Sequence, residues 1–123
     1  IAPGLAHEFA RNFQEYVGHW DAMPHESHLL IALCAPRPVM ITAANGDMWS
    51  DPRGQFLAVV AAGPVWRLLG KSDLGTTEMP PLDTPVATGS LAFLENRGPH
   101  VISPLDWKTF LDFADRHLPA PRT

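Results

Sequence analysis

Two short apolar runs, each followed by a loop that carries reactive side chains, constrain this chain more than any other feature. Val39-Met40-Ile41-Thr42-Ala43 is largely β-branched and apolar on both faces, and Ala35-Pro36-Arg37-Pro38 precedes it. It reads as an interior strand, because a strand covered on both sides does not alternate apolar with polar. Ser90-Leu91-Ala92-Phe93-Leu94-Glu95-Asn96 reads the same way. Between them Asp51-Pro52 opens the clearest helix in the chain: Asp51 is an N-cap candidate, and Pro52 stands at the first helical position, where a missing N–H costs nothing. Phe56, Leu57, Val59, Val60, Ala61, Val65, Leu68 and Leu69 carry that helix to Gly70, with a kink expected at Gly63-Pro64. Strand, long helix, strand is the repeating unit of a parallel α/β sheet.

The flanks add helices. Leu5, Phe9, Phe13, Tyr16 and Val17 recur at spacings of three and four, which predicts an amphipathic helix stopped by Gly18. Residues 26–34 read as a short, mostly buried helix that Pro36 and Pro38 prevent from continuing. Gly75 to Thr88 is a proline-punctuated loop, of the length that functional loops often have. Leu105 to Leu118 closes the pattern as an amphipathic helix whose stripe of Trp107, Phe110, Leu111, Ala114 and Leu118 is expected to be core. Pro119 to Thr123 reads as a flexible tail, leaving residues 1–118 as part of one catalytic domain. Two parallel strands by themselves leave open edges and little core. The chain is therefore expected to be the C-terminal half of a three-layer αβα domain, incomplete without an N-terminal half. Its start at Ile1 rather than a methionine fits that expectation.

Composition excludes several classes. A 46% hydrophobic content with 18% charge is that of a globular protein. A net charge of −4 without a basic block argues against nucleic acid and anionic membrane surfaces as partners. No apolar stretch approaches the roughly 18 residues that span a bilayer. Cys34 is the single cysteine and has no internal disulfide partner.

In a parallel α/β sheet, ligands bind outside the carboxyl ends of the strands. Asp47 and Trp49 follow the first strand there, in Gly46-Asp47-Met48-Trp49-Ser50-Asp51-Pro52. His100 follows the second, in Arg97-Gly98-Pro99-His100. An acid past one strand and a histidine past the next are two parts of a Ser-His-acid hydrolase, in the chain order of the α/β-hydrolases. A loop histidine held by Gly98 and Pro99 can offer one ring nitrogen to a carboxylate and the other to a serine. Asp47 has two rivals: Asp51, which a helix cap explains, and Glu95, which lies within a strand. Trp49, flanked by polar residues in a loop, is poorly placed for a core, and its indole suits a sugar face. The third part, a G-x-S-x-G nucleophile elbow, is absent from the chain: Ser27, Ser50, Ser72, Ser90 and Ser103 all lack its context. The histidines do not spell a metal site, since there is no H-E-x-x-H and Cys34 stands alone. His28 is expected to pack or hydrogen-bond beside the site, and no metal or cofactor is called for.

These residues resemble the glucuronoyl esterases, carbohydrate esterase family 15. The likeness runs through the segment from His28 to Pro38, with its Ala35-Pro36-Arg37-Pro38, then Asp47-Met48-Trp49-Ser50-Asp51-Pro52-Arg53-Gly54. It resumes at Arg97-Gly98-Pro99-His100 and ends in Asp106-Trp107-Lys108-Thr109-Phe110-Leu111-Asp112-Phe113-Ala114-Asp115. The resemblance implies an α/β-hydrolase fold and metal-free hydrolysis of the ester between 4-O-methyl-glucuronic acid on xylan and lignin alcohols. It also implies a secreted or periplasmic location. By position, His100 matches the family's catalytic histidine, Trp49 the tryptophan that contacts the glucuronate, and Asp47 the acid after the seventh strand found in many bacterial members. Other members take the acid from a glutamate soon after the nucleophile. The resemblance places the serine and the oxyanion-stabilising arginine upstream of this chain.

Overall fold

The computed structural model describes residues 10–118. Its centre is a parallel two-stranded sheet of β1 (Val39–Ala44) and β2 (Leu91–Asn96), in register from Val39 against Leu91 to Ala44 against Asn96. The three α-helices are α1 (Ser27–Ala32), α2 (Pro52–Leu68) and α3 (Pro104–His117). Both strands and the helix joining them lie within a residue or two of where the apolar runs put them. Pro64 lies inside α2, which runs on to Leu68.

Strand alternation sorts the side chains into two layers. On one face Val39, Ile41, Ala43, Leu91 and Phe93 pack with Phe56, Val59, Ala62 and Trp66 of α2, and α1 adds Ile31 and Ala32. Phe56 meets Phe93 edge-on at 5.3 Å between ring centroids, a geometry that aromatic quadrupoles favour. Trp66 is fully buried, and its indole N–H donates to the Arg37 carbonyl at 3.1 Å. That bond pins the proline-rich turn before β1 onto α2. On the other face Met40, Ala87 and Ala92 meet Phe113 of α3. Helices on both faces of a parallel sheet give the αβα layering. The long loop also joins the sheet: Val86 and Phe93 exchange both backbone hydrogen bonds, antiparallel, at 2.9 and 2.8 Å.

The structure corrects four expectations. The helix read as mostly buried over 26–34 is α1, and none of its residues is buried. Of the helix expected from Leu5 to Val17, residues 5–9 lie outside the described residues, as does the tail at 119–123. The described part is a tighter 3-10 helix, Arg11–Tyr16, with no buried residue. With none of its residues buried, the segment lacks the tertiary packing from which a short helix draws most of its stability. On α3 the stripe read as core is largely the outward one, with Trp107 58% and Leu111 60% exposed. The inward face is Asp106, Thr109 and Phe113. Asp106 and Trp107 are neighbours, about 100° apart around a helix. The buried hydrogen bonds of Asp106, described below, turn its side inward and Trp107 out. His28, expected beside the site, is instead paired through Nδ1 with Glu26 at 3.2 Å and is absent from the lining of the cleft described next.

Candidate active site

Both strands end on the same edge of the sheet, and the backbone pairing continues past them. Asn45 N–H donates to the Asn96 carbonyl at 2.9 Å, and Gly46 N–H donates to the Gly98 carbonyl at 2.9 Å. Gly98 N–H in turn donates to the Asn45 side-chain oxygen at 3.0 Å. The acid loop and the histidine loop are thus laced together before either reaches its functional residue. The lacing requires glycine twice. A Cβ on Gly46 would stand 2.4 Å from the Gly98 carbonyl oxygen, and Gly98 itself has φ +138, a region side-chain-bearing residues rarely adopt.

Past the lacing, Asp47 and His100 meet. His100 lies at the centre of a three-residue turn closed by Val101 N–H on the Pro99 carbonyl at 2.8 Å. Its Nδ1 lies 2.5 Å from Asp47 Oδ2. The same Oδ2 accepts from Ser50 Oγ at 2.5 Å. Ser50 is held in turn by Gln55 of α2, whose Nε2 donates to the Ser50 carbonyl at 2.7 Å. The hydrogen bond from Ser50 first, and that from His100 second, hold the Asp47 carboxyl below its ordinary range. An ionised carboxylate can only accept, so Nδ1 carries the imidazole proton and Nε2 of the neutral ring keeps its lone pair. The two partners differ sharply in access. The Asp47 side chain is 12% exposed and that of His100 84%. Among the described residues Nε2 has no partner. A cleft of about 440 Å³ opens at this pair, lined by Thr42, Ser50, Gln55, Asn96 and Ile102 among others.

The rival acids lie elsewhere. Asp51 accepts from Gly54 N–H at 3.0 Å and caps α2, in the left-handed region at φ 49 that aspartate tolerates. Glu95 lines a separate pocket of about 350 Å³ with Met48, Arg53 and Met79. Trp49 sits on the 3-10 turn Met48–Ser50, two residues past Asp47 and 69% exposed. It is absent from the lining of the His100 cleft, and most of its surface is open. An aromatic ring so largely exposed is available to a ligand.

Sequence reasoning missed the second layer. Ser50 and Gln55 brace the acid, and Asp106 braces the far end of the histidine loop. The Asp106 side chain is fully buried, and its Oδ2 accepts from Asn96 Nδ2 at 2.6 Å and from Ser103 N–H and Oγ–H at 2.7 Å each. Burial alone would raise this carboxyl; the bonds from Ser103 and Asn96 outweigh it and hold it low. The signal was present as Ser103-Pro104-Leu105-Asp106, a capping-box spacing at the head of α3. Asp83 does similar work from the long loop, accepting from Arg97 N–H at 2.8 Å.

Known proteins carry the same architecture. A family model described as "Glucuronyl esterase, fungi" matches residues 4–70, a span that includes Asp47 and Trp49. Carbohydrate esterase MZ0003, from an unknown prokaryotic organism, is 38% identical over 118 residues, or 96% of this chain and 27% of that protein. A 4-O-methyl-glucuronoyl methylesterase of Cerrena unicolor is 41% identical over 66 residues, 53% of this chain and 14% of its own length. Among solved structures, a glucuronoyl esterase from Solibacter usitatus superposes with a TM-score of 0.85 at 38% identity, over 94% of this chain and 30% of that one. The chain thus spans about a quarter of the length of the first of these relatives. At this identity and overlap the shared α/β-hydrolase architecture extends from the proline-rich turn before β1 to α3, and the chain belongs to the glucuronoyl esterase family.

Proposed function

We propose that this chain supplies the acid and the histidine of a serine carboxylic ester hydrolase acting on esters of 4-O-methyl-glucuronate, with the nucleophilic serine on the part of the catalytic domain that lies outside it. One observation carries the reading: His100 Nδ1 against Asp47 Oδ2 at 2.5 Å, on a histidine that lines an open cleft. The chemistry follows from that orientation. Nε2 accepts the serine hydroxyl proton as Oγ attacks the ester carbonyl, and the imidazolium that forms is stabilised by the Asp47 carboxylate. The tetrahedral intermediate collapses, the C–O bond to the alcohol breaks, and His100 returns its proton to the departing oxygen. Water then attacks the acyl-enzyme by the same route, releasing glucuronate and the free serine. Trp49 is assigned to the sugar, as an exposed indole beside the acid loop.

Support for a larger domain comes from exposure as well as from the relatives' length. Leu30 at 62% and Leu33 at 75% stand open beside the sheet, along with the outward stripe of α3. Such an apolar surface is usual for a covered face and unusual for a free one.

The test is turnover of a methyl glucuronate ester by the intact esterase carrying this chain. His100→Ala and Asp47→Asn should each lower kcat by about 10³- to 10⁴-fold, with the folding transition little moved for His100, whose side chain is largely exposed. The 123-residue chain alone should show no turnover. A fully active His100→Ala enzyme would end the assignment. A loss below about tenfold in Asp47→Asn, roughly 1.4 kcal/mol, would transfer the acid's role to a glutamate elsewhere in the domain.

A further inference from the structure

The segment 97–102 carries His100 with little packing of its own: Val101 is 60% exposed and Ile102 59%. Something other than side-chain burial must fix the ring. Asn96, the last residue of β2, and Ser103, the N-cap of α3, bracket this segment. The Asn96 side-chain amide and the backbone N–H and hydroxyl of Ser103 converge on one oxygen, Asp106 Oδ2, as three donors at 2.6–2.7 Å. The loop is thereby closed at its base on a single buried point. Asn96 lines the cleft itself, so the tie stands next to the ring it would hold.

The chemistry of that point is unusual for a purely structural device. A helix cap needs only the serine, and the exposed Asp51 of α2 shows that a cap can be built without burial. Asp106 is 0% exposed, and its Oδ1 is buried with no hydrogen-bond partner among the described residues. A buried carboxylate oxygen left unsatisfied costs stability. An apolar or amide side chain would cost less there if holding the helix were the only task. What the carboxylate adds is charge-assisted bonds, shorter and stiffer than neutral ones, to both ends of the histidine loop.

We infer that Asp106 is a positioning residue for the hydrolytic site: by clamping Asn96 and Ser103 together it fixes the histidine loop, and so the register of the His100 ring against Asp47. The inference rests on the roles of His100 and Asp47 proposed above. Asp106 touches neither substrate nor the reacting atoms.

The experiment is a double-mutant cycle in the intact esterase between Asp106→Asn and Asp47→Asn, with kcat, KM and the folding transition measured for each. Asparagine keeps the shape and one acceptor oxygen while removing the charge. In the otherwise native enzyme Asp106→Asn should lower kcat about tenfold or more, with KM within about twofold. In the Asp47→Asn background, where there is no longer an acid for the ring to align with, the same change should cost less than about twofold. Equal losses in both backgrounds would mean that Asp106 only supports folding, and the inference would fall. So would an Asp106→Asn enzyme with unaltered kcat. If Asp106→Asn does not fold, Asn96→Ala replaces it in the same cycle, cutting the strand-side tie while leaving the α3 cap intact, with the same outcomes expected. Failure of the underlying reading is visible separately: an Asp47→Asn enzyme with full turnover removes the pair itself, and the Asp106 assignment with it.

Discussion

The two loops that meet at the cleft are held by opposite means. The acid loop braces itself from within its own stretch of sequence. Asp47 is bonded to Ser50 three residues on, Ser50 to Gln55 five further, and Asp51 caps the helix that follows. The histidine loop is braced mostly from outside its own stretch, with only the Ser103–Asp106 cap local. Arg97 is tied to Asp83, Gly98 to Asn45, and the two ends to Asp106. The acid is accordingly half-buried and preset, while the histidine stands exposed on a frame of largely remote contacts. In a base that must move a proton between substrate and nucleophile, exposure of Nε2 is useful; freedom of the whole ring is not. The contrast suggests that the acid loop keeps its geometry when tertiary contacts are loosened and that the histidine loop does not.

The strongest way to break that contrast is at the lacing. In Gly46→Ala the new methyl would meet the Gly98 carbonyl at 2.4 Å, and that oxygen is backbone and cannot swing aside. The loops must part. The expected cost is about 1–3 kcal/mol of stability, and a displacement of the order of an ångström between Asp47 and His100 should lower kcat by about 10²-fold. Thermal unfolding and turnover measured on the same variant check both. A lower transition with unchanged kcat would show that the lacing holds the fold without setting the pair.

A smaller effect is expected at Asn45, whose side-chain oxygen is the acceptor for Gly98 N–H. Asn45→Ala leaves that donor unpaired in a part-buried position, at a cost of about 1 kcal/mol. Turnover should fall by about tenfold as the histidine loop loosens. Asn45→Asp keeps an acceptor at the same place and should recover most of the loss. If the aspartate fails to recover what the alanine loses, the side-chain bond is not the agent.

What was legible in the sequence follows the same division. β1, α2 and β2 were readable because each depends on local pattern: strands apolar on both faces, and a helix opened by Asp51-Pro52 and carried by an apolar run. Asp47 and His100 were readable as ends of strands. Their 2.5 Å contact was an expectation from topology, since 53 positions separate them. Of the bracing of the histidine loop, only the Ser103–Asp106 capping-box spacing was open to reading; the rest was not. Asp83, Asn45 and Asp106 reach Arg97, Gly98 and Asn96 across 14, 53 and 10 positions, and no periodicity encodes such pairings. The rotation of α3 failed for a related reason. Its apolar stripe and its polar anchor compete for the inward side, and three short hydrogen bonds to a buried carboxylate outweigh an indole whose ring contact is with Phe110 of the same helix.

The smallest expected effect is at Ser50, and its sign distinguishes a self-braced acid from one that depends on the histidine. The Ser50 hydroxyl is the leading cause of the lowered Asp47 carboxyl, ahead of His100. A carboxyl depressed in the folded state stabilises the fold above its unfolded value of about 3.9. That contribution is lost as the pH falls through the folded value, which lies lower. Ser50→Ala removes the main depressing bond, so the Asp47 carboxyl rises toward the ordinary range and its contribution at neutral pH shrinks. Near pH 7 the carboxylate remains ionised and still faces Nδ1, so kcat should fall only about two- to fivefold, under 1 kcal/mol. Acid sensitivity should change more: the pH at which the enzyme loses activity on acidification should move upward relative to the unaltered protein. A pH series of turnover, with the folding transition followed in parallel, measures this. An acid limb that stays where it was in Ser50→Ala would mean that His100, and not the acid's own loop, sets the state of Asp47, and the contrast between the two loops would not hold.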